Sequence, residues 1–302
     1  MNRLNLDKRK ALVLDIDGTL TNSKKEITQK TAAALKKIME MGHAVILASG
    51  RPTPGMKRYE EQLELASYGG YLLSFNGARV WDCAAREVIY QKTLPDDIPA
   101  QIYEFAKEKD AGIISYYLKG NGAEVKNQGG YLSRKGIDPE GDYVISAFEP
   151  DEYVLLEARI NSMNVITVYD FKSFIDYPVN KVLITAPGPL AAGYEKELVA
   201  RYGDSLSIYR SEEFFLEVMP QNVSKADTLD AMLEKIGVKW ENTVCCGDGF
   251  NDISMIKYAA VGVAMANAKE EVKKAADFIT GSNDEDGLVT VIDKFILDSD
   301  GK

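Results

Sequence analysis

The sequence predicts an α/β protein: an open, mostly parallel sheet with helices on both faces, interrupted once by an α+β insert. Three observations carry this. Short apolar runs alternate with helix-periodic stretches over the first 80 residues and again over the last 80. The runs are apolar throughout, as in strands buried on both faces. Between about residues 86 and 220 the rhythm stops and Tyr-rich segments take over, after which it resumes. An interruption that resumes places one domain inside another. The expected division is 1–85 with 221–302 as the core and 86–220 as the insert.

Taken in order, "ALVLDID" is the first core strand. "ITQKTAAALKKIMEMG" follows as an amphipathic helix, with Thr28 as N-cap and Gly42 as its stop. "HAVILASG" is the second strand, "MKRYEEQLELAS" a helix and "GYLLSFNGA" the third strand. In the insert, "IISYYL", "NVITVYD", "NKVLITAP", "LSIYR" and "FFLEVMP" predict a largely antiparallel sheet. Helices are expected around "IPAQIYEFAKEKD" and "AAGYEKELVARYG". The core then returns as helix "KADTLDAMLEKIG", strand "NTVCCGD", helix "DISMIKYA", strand "VGVAMA", helix "AKEEVKKAAD", strand "FIT" and helix "LVTVIDKFIL".

Composition removes several function classes. With 302 residues, 45% of them hydrophobic, the chain can bury a large core. A formal charge of -10 argues against the basic face that nucleic acid requires. It leaves an anionic small molecule possible, because a metal and a few local cations outweigh distant charge. Cys83, Cys245 and Cys246 form no disulfide framework and no zinc spacing, which points to a reducing, cytoplasmic setting. No apolar run of about 18 residues exists to span a membrane. The run after Lys8, Arg9 and Lys10 is cut by Asp15, too early for a secretory leader. His43 is the only histidine, so a His-rich metal site is excluded and any Ser–His–Asp triad would have to use it. Its position between a helix stop and a strand reads as structural.

Open parallel sheets bind ligands at the carboxyl ends of their strands. Asp15, Asp17, Gly18 and Thr19 follow the first strand; Ser49, Gly50 and Arg51 follow the second. Asn76 and Gly77 end the third, and "NTVCCGD" delivers Gly247, Asp248, Gly249, Asn251 and Asp252. Carboxylates gathered at one edge repel unless a cation sits among them. An all-oxygen set suits a hard divalent ion, Mg²⁺ first. Asp15 and Asp17, two apart on an extended strand, would lean to one face. Ser224 and Asp227 make a capping box that puts Lys225 in the first helical turn. The macrodipole disfavours a cation there, and a bound anion would reverse the sign. Arg51 reads as a local structural contact more than a phosphate contact. Asn76 fits a pocket wall or a turn with Gly77 equally well. "SNDEDGLVTVID" is a poor calcium loop because Ser282 opens it, and "GDGFND" lacks the third glycine of a dinucleotide fingerprint.

"DIDGTL", "ASGR", the lysine of "NVSKADTL" and "GDGFNDISM" resemble, in order, the four motifs of the haloacid dehalogenase superfamily, and best its Cof-type phosphatases. The tail "GSNDEDGLVTVI" is similar to that group as well. The resemblance implies a Rossmann-like catalytic core with an α/β cap inserted between the second and third motifs, which sets substrate specificity. It implies a Mg²⁺-dependent phosphomonoesterase acting on small phosphorylated metabolites, such as sugar phosphates, through an aspartyl-phosphate. Asp15 would be nucleophile and metal ligand. Asp17 would be general acid/base, with its main-chain carbonyl on the metal, and Asp248 the third protein ligand. The phosphoryl group would be held by Ser49, Gly50, the backbone at Ile16, Lys225 and Asn251, with Asp252 a carboxylate behind the ligands. Ala226 stands where the group commonly has glycine, which bears on helix packing. A phosphomutase using the same intermediate, and a non-catalytic phosphometabolite-binding protein, are the alternatives.

Overall fold

β1, Ala11–Asp15, is buried along its whole length and stands in the middle of an eight-stranded sheet. The computed structural model describes residues 8–118, 138 and 141–297. The chain divides into two units: Met1–Gly50, Met56–Tyr90 and Ser224–Lys302 form the first, and Arg51–Gly55 with Gln91–Val223 the second.

In the first unit, β2 (Ala44–Ala48) and then β3 (Tyr71–Ser74) extend the sheet on one side of β1. β12 (Thr243–Gly247), β13 (Val261–Ala264) and β14 (Phe278–Ile279) extend it on the other. All these pairings are parallel. The chain therefore reverses its direction of growth at the β1/β12 junction, where such sheets open a crevice. Leu12, Leu14, Val45 and Leu47 pack on one face against the Gln29–Glu40 helix and the C-terminal turns. Val13, Ile46 and Cys245 pack on the other against Leu229, Met232 and Leu233. Thr28 caps the Gln29–Glu40 helix by accepting from Thr31 N–H, and Gly42 follows at φ 96°. Lys10 Nζ donates to the carbonyls of Phe295 (3.0 Å) and Ile296 (2.9 Å), closing the last turn onto the start of β1.

Two elements of the first unit differ from the expectation. The helix expected over "MKRYEEQLELAS" is two, Lys57–Gln62 and Leu65–Tyr68. Leu63 and Leu65 are both buried, a spacing of two that one helix cannot aim at one core, and Glu64 turns left-handed between them. The third strand stops at Ser74, and a hairpin not read from the sequence, β4 (Arg79–Asp82) and β5 (Glu87–Gln91), continues the sheet to its edge.

The second unit holds six strands in the order β10-β11-β9-β6-β7-β8. They are β6 Gly112–Tyr117, β7 Tyr143–Ser146, β8 Asn164–Thr167, β9 Val182–Thr185, β10 Leu206–Glu212 and β11 Phe215–Pro220. All neighbours pair antiparallel except β7 and β8, which the Glu152–Ile160 helix connects. Ile113, Ile145, Ile184, Leu216 and Val218 share one apolar cluster with Ile102, Phe105 and Leu198 of the helices. A polar row crosses the sheet elsewhere. Tyr209 donates to Glu217 (3.0 Å), Glu217 pairs with Lys181 (3.1 Å), and the ammonium lies 5.4 Å from the ring centroid of Tyr116. Tyr116 in turn donates to Glu157 (2.6 Å). Arg51 donates to the Ile160 carbonyl (3.0 Å), a contact made across 109 positions and not a local one.

Lys181 and Glu217 are almost fully enclosed, so removing one strands the other's charge. Lys181→Met alone should destabilise the protein by about 3–5 kcal/mol in urea unfolding. Lys181→Met with Glu217→Met should cost clearly less than the single change.

Candidate active site

The residues that follow β1, β2, β3 and β12 converge at one sheet edge, and a single ammonium organises them. Ser224 caps the Lys225–Ile236 helix by accepting from Asp227 N–H (3.3 Å). Lys225, the first residue of that helix, is wholly buried. Its Nζ donates to Asp15 Oδ1 (2.6 Å), to the Ala48 carbonyl (2.9 Å) and to Asp252 Oδ1 (2.5 Å). Three donors meet three acceptors on β1, on β2 and beyond β12.

Asp252 is fully buried and its second oxygen is also engaged, accepting from the N–H groups of Asp248 (3.0 Å) and Gly249 (2.8 Å). Asp252 thus holds the loop that carries Asp248. Thr19 Oγ1 donates to Asp248 Oδ1 (2.8 Å), which ties the loop after β1 to the loop after β12. Close packing forces glycine at two places. A Cβ on Gly18, which lies at φ 92°, would run into the Asp248 carboxylate, and one on Gly247 would run into Asp252. Asn267, just past β13, braces the same turn by donating from Nδ2 to the Gly18 carbonyl (2.8 Å).

Asp17 is placed differently from Asp15. β1 ends at Asp15, and the chain then turns, with Thr21 N–H and Oγ1 both donating to the Ile16 carbonyl (2.9 Å each). The expectation of one extended strand through both acids is corrected: Gly18 bends the chain, and Asp17 sits in the turn. Its carboxylate accepts from Lys25 Nζ (2.9 Å) and is about a third exposed. Exposed pairs of this kind contribute about 0–1 kcal/mol and open easily.

The end of β3 completes the edge. Phe75, Asn76 and Gly77 all have positive φ (51°, 53° and 107°), a run that costs about 1–3 kcal/mol for each non-glycine residue. Asn76 N–H donates to the Ser49 carbonyl (2.9 Å), and Ser49 N–H to the Leu73 carbonyl (2.9 Å). Asn251 Nδ2 donates to Asn76 Oδ1 (3.1 Å), and Thr228 Oγ1 to the Gly77 carbonyl (2.6 Å). The structure therefore brings together Asp15, Ser49, Gly50, Lys225, Asp248, Asn251 and Asp252, with the Asp17 side chain on the adjoining turn. Lys25, Asn267 and the bridging role of Thr19 were not read from the sequence. Asn267 lies past the carboxyl end of β13, so the strand-end rule could have found it; Lys25 has no such signal.

One oxygen each from Asp15, Asp248 and Asp252 lies within 4.8 Å of the others. Three carboxylates face one ammonium, and burial among like charges shows in the proton affinities of Asp15 and Asp248. Burial, then the charge of Asp252, raises Asp15 well above its ordinary value of 3.8 against the pull of Lys225. Burial raises Asp248 to about 6, against the Thr19 hydrogen bond. Burial would lower Lys225, but Asp15 and Asp252 together carry it above its ordinary value. The donor set is oxygen alone. His43 lies at the opposite end of β2, accepting from Lys10 N–H (3.1 Å), and Cys245 and Cys246 are inside β12. A hard divalent cation fits both the charge and the donors. With Asp252 fully engaged, Asp15 and Asp248 are the side chains with an oxygen to offer.

A family model of haloacid dehalogenase-like hydrolases matches residues 12–292. The chain belongs to this family. As a haloacid dehalogenase-like hydrolase it closely resembles one from Bacteroides thetaiotaomicron of known crystal structure. The TM-score is 0.83 at 39% identity, over 95% of this chain and 99% of that one. It is similar to a subclass IIB sugar phosphatase of the superfamily, with TM-score 0.72 and 26% identity over 95% and 98% of the two chains. A 5-amino-6-(5-phospho-D-ribitylamino)uracil phosphatase of Bacillus subtilis is 27% identical over 292 residues, 95% of this chain and 96% of that protein. No described helix is long and apolar enough to cross a membrane.

The raised carboxylates set a pH dependence. Asp15 and Asp248 bind protons more tightly folded than unfolded, so their contribution favours the fold below about pH 4 and is lost as pH rises through 6 and beyond. A cation takes only the ionised form and offsets that loss. The gain in Tm on adding saturating Mg²⁺ should therefore be larger at pH 8 than at pH 5, as read by calorimetry.

Proposed function

We propose that this hydrolase is a Mg²⁺-dependent phosphomonoesterase that works through an aspartyl-phosphate on Asp15. The observation that carries it is the contrast between two acids two residues apart. Asp15 is buried and clamped by Lys225 beside Asp248, whereas Asp17 is about a third exposed on a turn and pairs with the surface lysine Lys25.

Asp15 and Asp248, with the Asp17 main-chain carbonyl, are assigned to hold Mg²⁺. When bound it supplies positive charge that offsets the carboxylates and the phosphoryl oxygens. Lys225 opposes the burial that raises Asp15 and fixes its carboxylate in direction, so that one oxygen is aimed. Ser49, the N–H groups at Ile16 and Gly50, and Asn251 are assigned to the phosphoryl oxygens, with Lys225 adding charge from behind Asp15. Asp15 attacks phosphorus and the ester P–O bond breaks. Asp17, protonated, gives its proton to the departing alkoxide. A water then attacks the aspartyl-phosphate while Asp17 takes its proton, and orthophosphate leaves with Asp15 restored. The loose tether of Asp17 suits a group that must pick up and release a proton, and the Lys225 clamp suits a nucleophile.

The substrates are assigned to small phosphorylated metabolites, with phosphate on a sugar or polyol. The similarity to a sugar phosphatase and to a phosphatase of a phosphoribityl compound supports that class. The inserted unit is assigned to substrate selection, and the three free cysteines suit a cytoplasmic location.

A generic aryl phosphate assayed for phosphate release tests this directly. Activity should require Mg²⁺, vanish in EDTA and be inhibited by Ca²⁺, which prefers more ligands and looser geometry. Full turnover in chelator would overturn the metal assignment. A panel of sugar and polyol phosphates would then define the substrate class.

The division between the acids has its own test. Asp15→Asn should be inactive on every substrate. Asp17→Asn should still react once with an aryl phosphate, whose leaving group needs little protonation. Water attack should then slow by about 10²–10⁴-fold. A rapid-quench burst and a mass increase on the Asp15 peptide should appear in Asp17→Asn with aryl but not alkyl esters. Equal inactivity of both variants, with no adduct, would refute the assignment.

A further inference from the structure

The turn Phe75–Asn76–Gly77 carries strain that the sheet does not need. Three successive residues are left-handed, two of them not glycine, at the point where β3 turns back into β4. Strain of this kind is retained where something holds it in place and uses it. The backbone is already held on both sides: Asn76 N–H donates to the Ser49 carbonyl (2.9 Å), and the Gly77 carbonyl accepts from Thr228 (2.6 Å). A Cβ on Gly77 would come within 2.5 Å of the Ser224 carbonyl, so the turn is pressed against the start of the helix that carries Lys225. None of these contacts uses the Asn76 side chain.

That side chain does something separate. Its Oδ1 accepts from Asn251 Nδ2 (3.1 Å), and its amide lies against Gly50, where an added Cβ would sit 3.2 Å from Asn76 Nδ2. Asn251 itself is exposed, so this hydrogen bond is what gives its amide a direction. The second N–H on Nδ2 is then aimed in a fixed direction.

We propose that Asn76 is a positioning residue for oxyanion recognition. It accepts one N–H of Asn251 so that the other is held ready for a phosphoryl oxygen, beside the Ser49–Gly50 loop. This rests on the assignment of Asn251 to the phosphoryl group made above. The turn carries the Asn76 side-chain oxygen beside Asn251.

Asn76→Gly separates side chain from backbone, because glycine adopts the left-handed conformation without cost and keeps the backbone N–H bond to Ser49. The variant should melt at or above the wild-type temperature. Its kcat/KM on an aryl phosphate should fall roughly tenfold, the effect of one misdirected hydrogen bond. The inhibition constant for inorganic phosphate should rise by a similar factor, which a merely structural role would not produce. Asn251→Ala should show a loss at least as large, and adding Asn76→Gly to it should change nothing further, since Asn76 acts through Asn251. If Asn76→Gly is unimpaired while Asn251→Ala is impaired, or if the two losses multiply, the inference is overturned and the assignment of Asn251 stands. If Asn251→Ala itself hydrolyses and binds phosphate like wild type, the assignment of Asn251 falls and takes the inference with it.

Discussion

The site depends on one ammonium group placed where there is no water to solvate it. Lys225 enters from the first turn of a helix, passes inside, and satisfies all three of its protons on Asp15, Ala48 and Asp252. Each contact belongs to a different part of the edge, so the position of Asp15 and the position of the Asp248 loop follow from the same three bonds. Removing the lysine would leave two buried carboxylates facing one another, which costs far more than a surface ion pair contributes. The negative charge left when three carboxylates face one ammonium is what makes a divalent cation fit.

Asp15 and Asp17 show how two residues of one type acquire different properties. Asp15 ends a strand with neighbours on both sides and is bonded from behind by a fixed cation. Asp17 lies past the bend at Gly18, a third exposed, tied to Lys25 on a loop. Environment separates the two, as it does wherever a pair of carboxyl groups must perform unlike tasks. The bend itself depends on Gly18, whose missing Cβ leaves room for the carboxylate of Asp248.

Much of this was legible in the sequence because buried parallel strands leave unbroken apolar runs. The same rhythm located the edge where Asp15, Ser49, Asp248 and Asp252 meet. The β4/β5 hairpin was not legible: it is a sheet-edge element, and "REVIYQ" mixes charge with apolar residues as exposed segments do. The Glu152–Ile160 helix escaped because Glu157 is buried there and breaks the apolar stripe, and β7 because it is only four residues long. In the site, the residue types and their strand-end positions could be read, but not their partners. Thr19 meets Asp248 across 229 residues and Asn267 meets Gly18 across 249, distances over which no local pattern carries information. Lys225 shows the limit well. Its position in the first helical turn was readable, and the inward path of its side chain was not.

The connection of Lys10 to the carbonyls of Phe295 and Ile296 links the ends of the described chain across 285 positions. β1 likewise receives one of its two flanking strands, β12, only after the whole insert has been made. During synthesis on the ribosome, every strand of the second unit emerges before the central strand of the first has both neighbours. The nascent chain must therefore carry an apolar strand with an open edge through most of translation, and that edge can pair wrongly with other chains. The loop that carries Asp248 and Asp252 likewise emerges only after the whole insert.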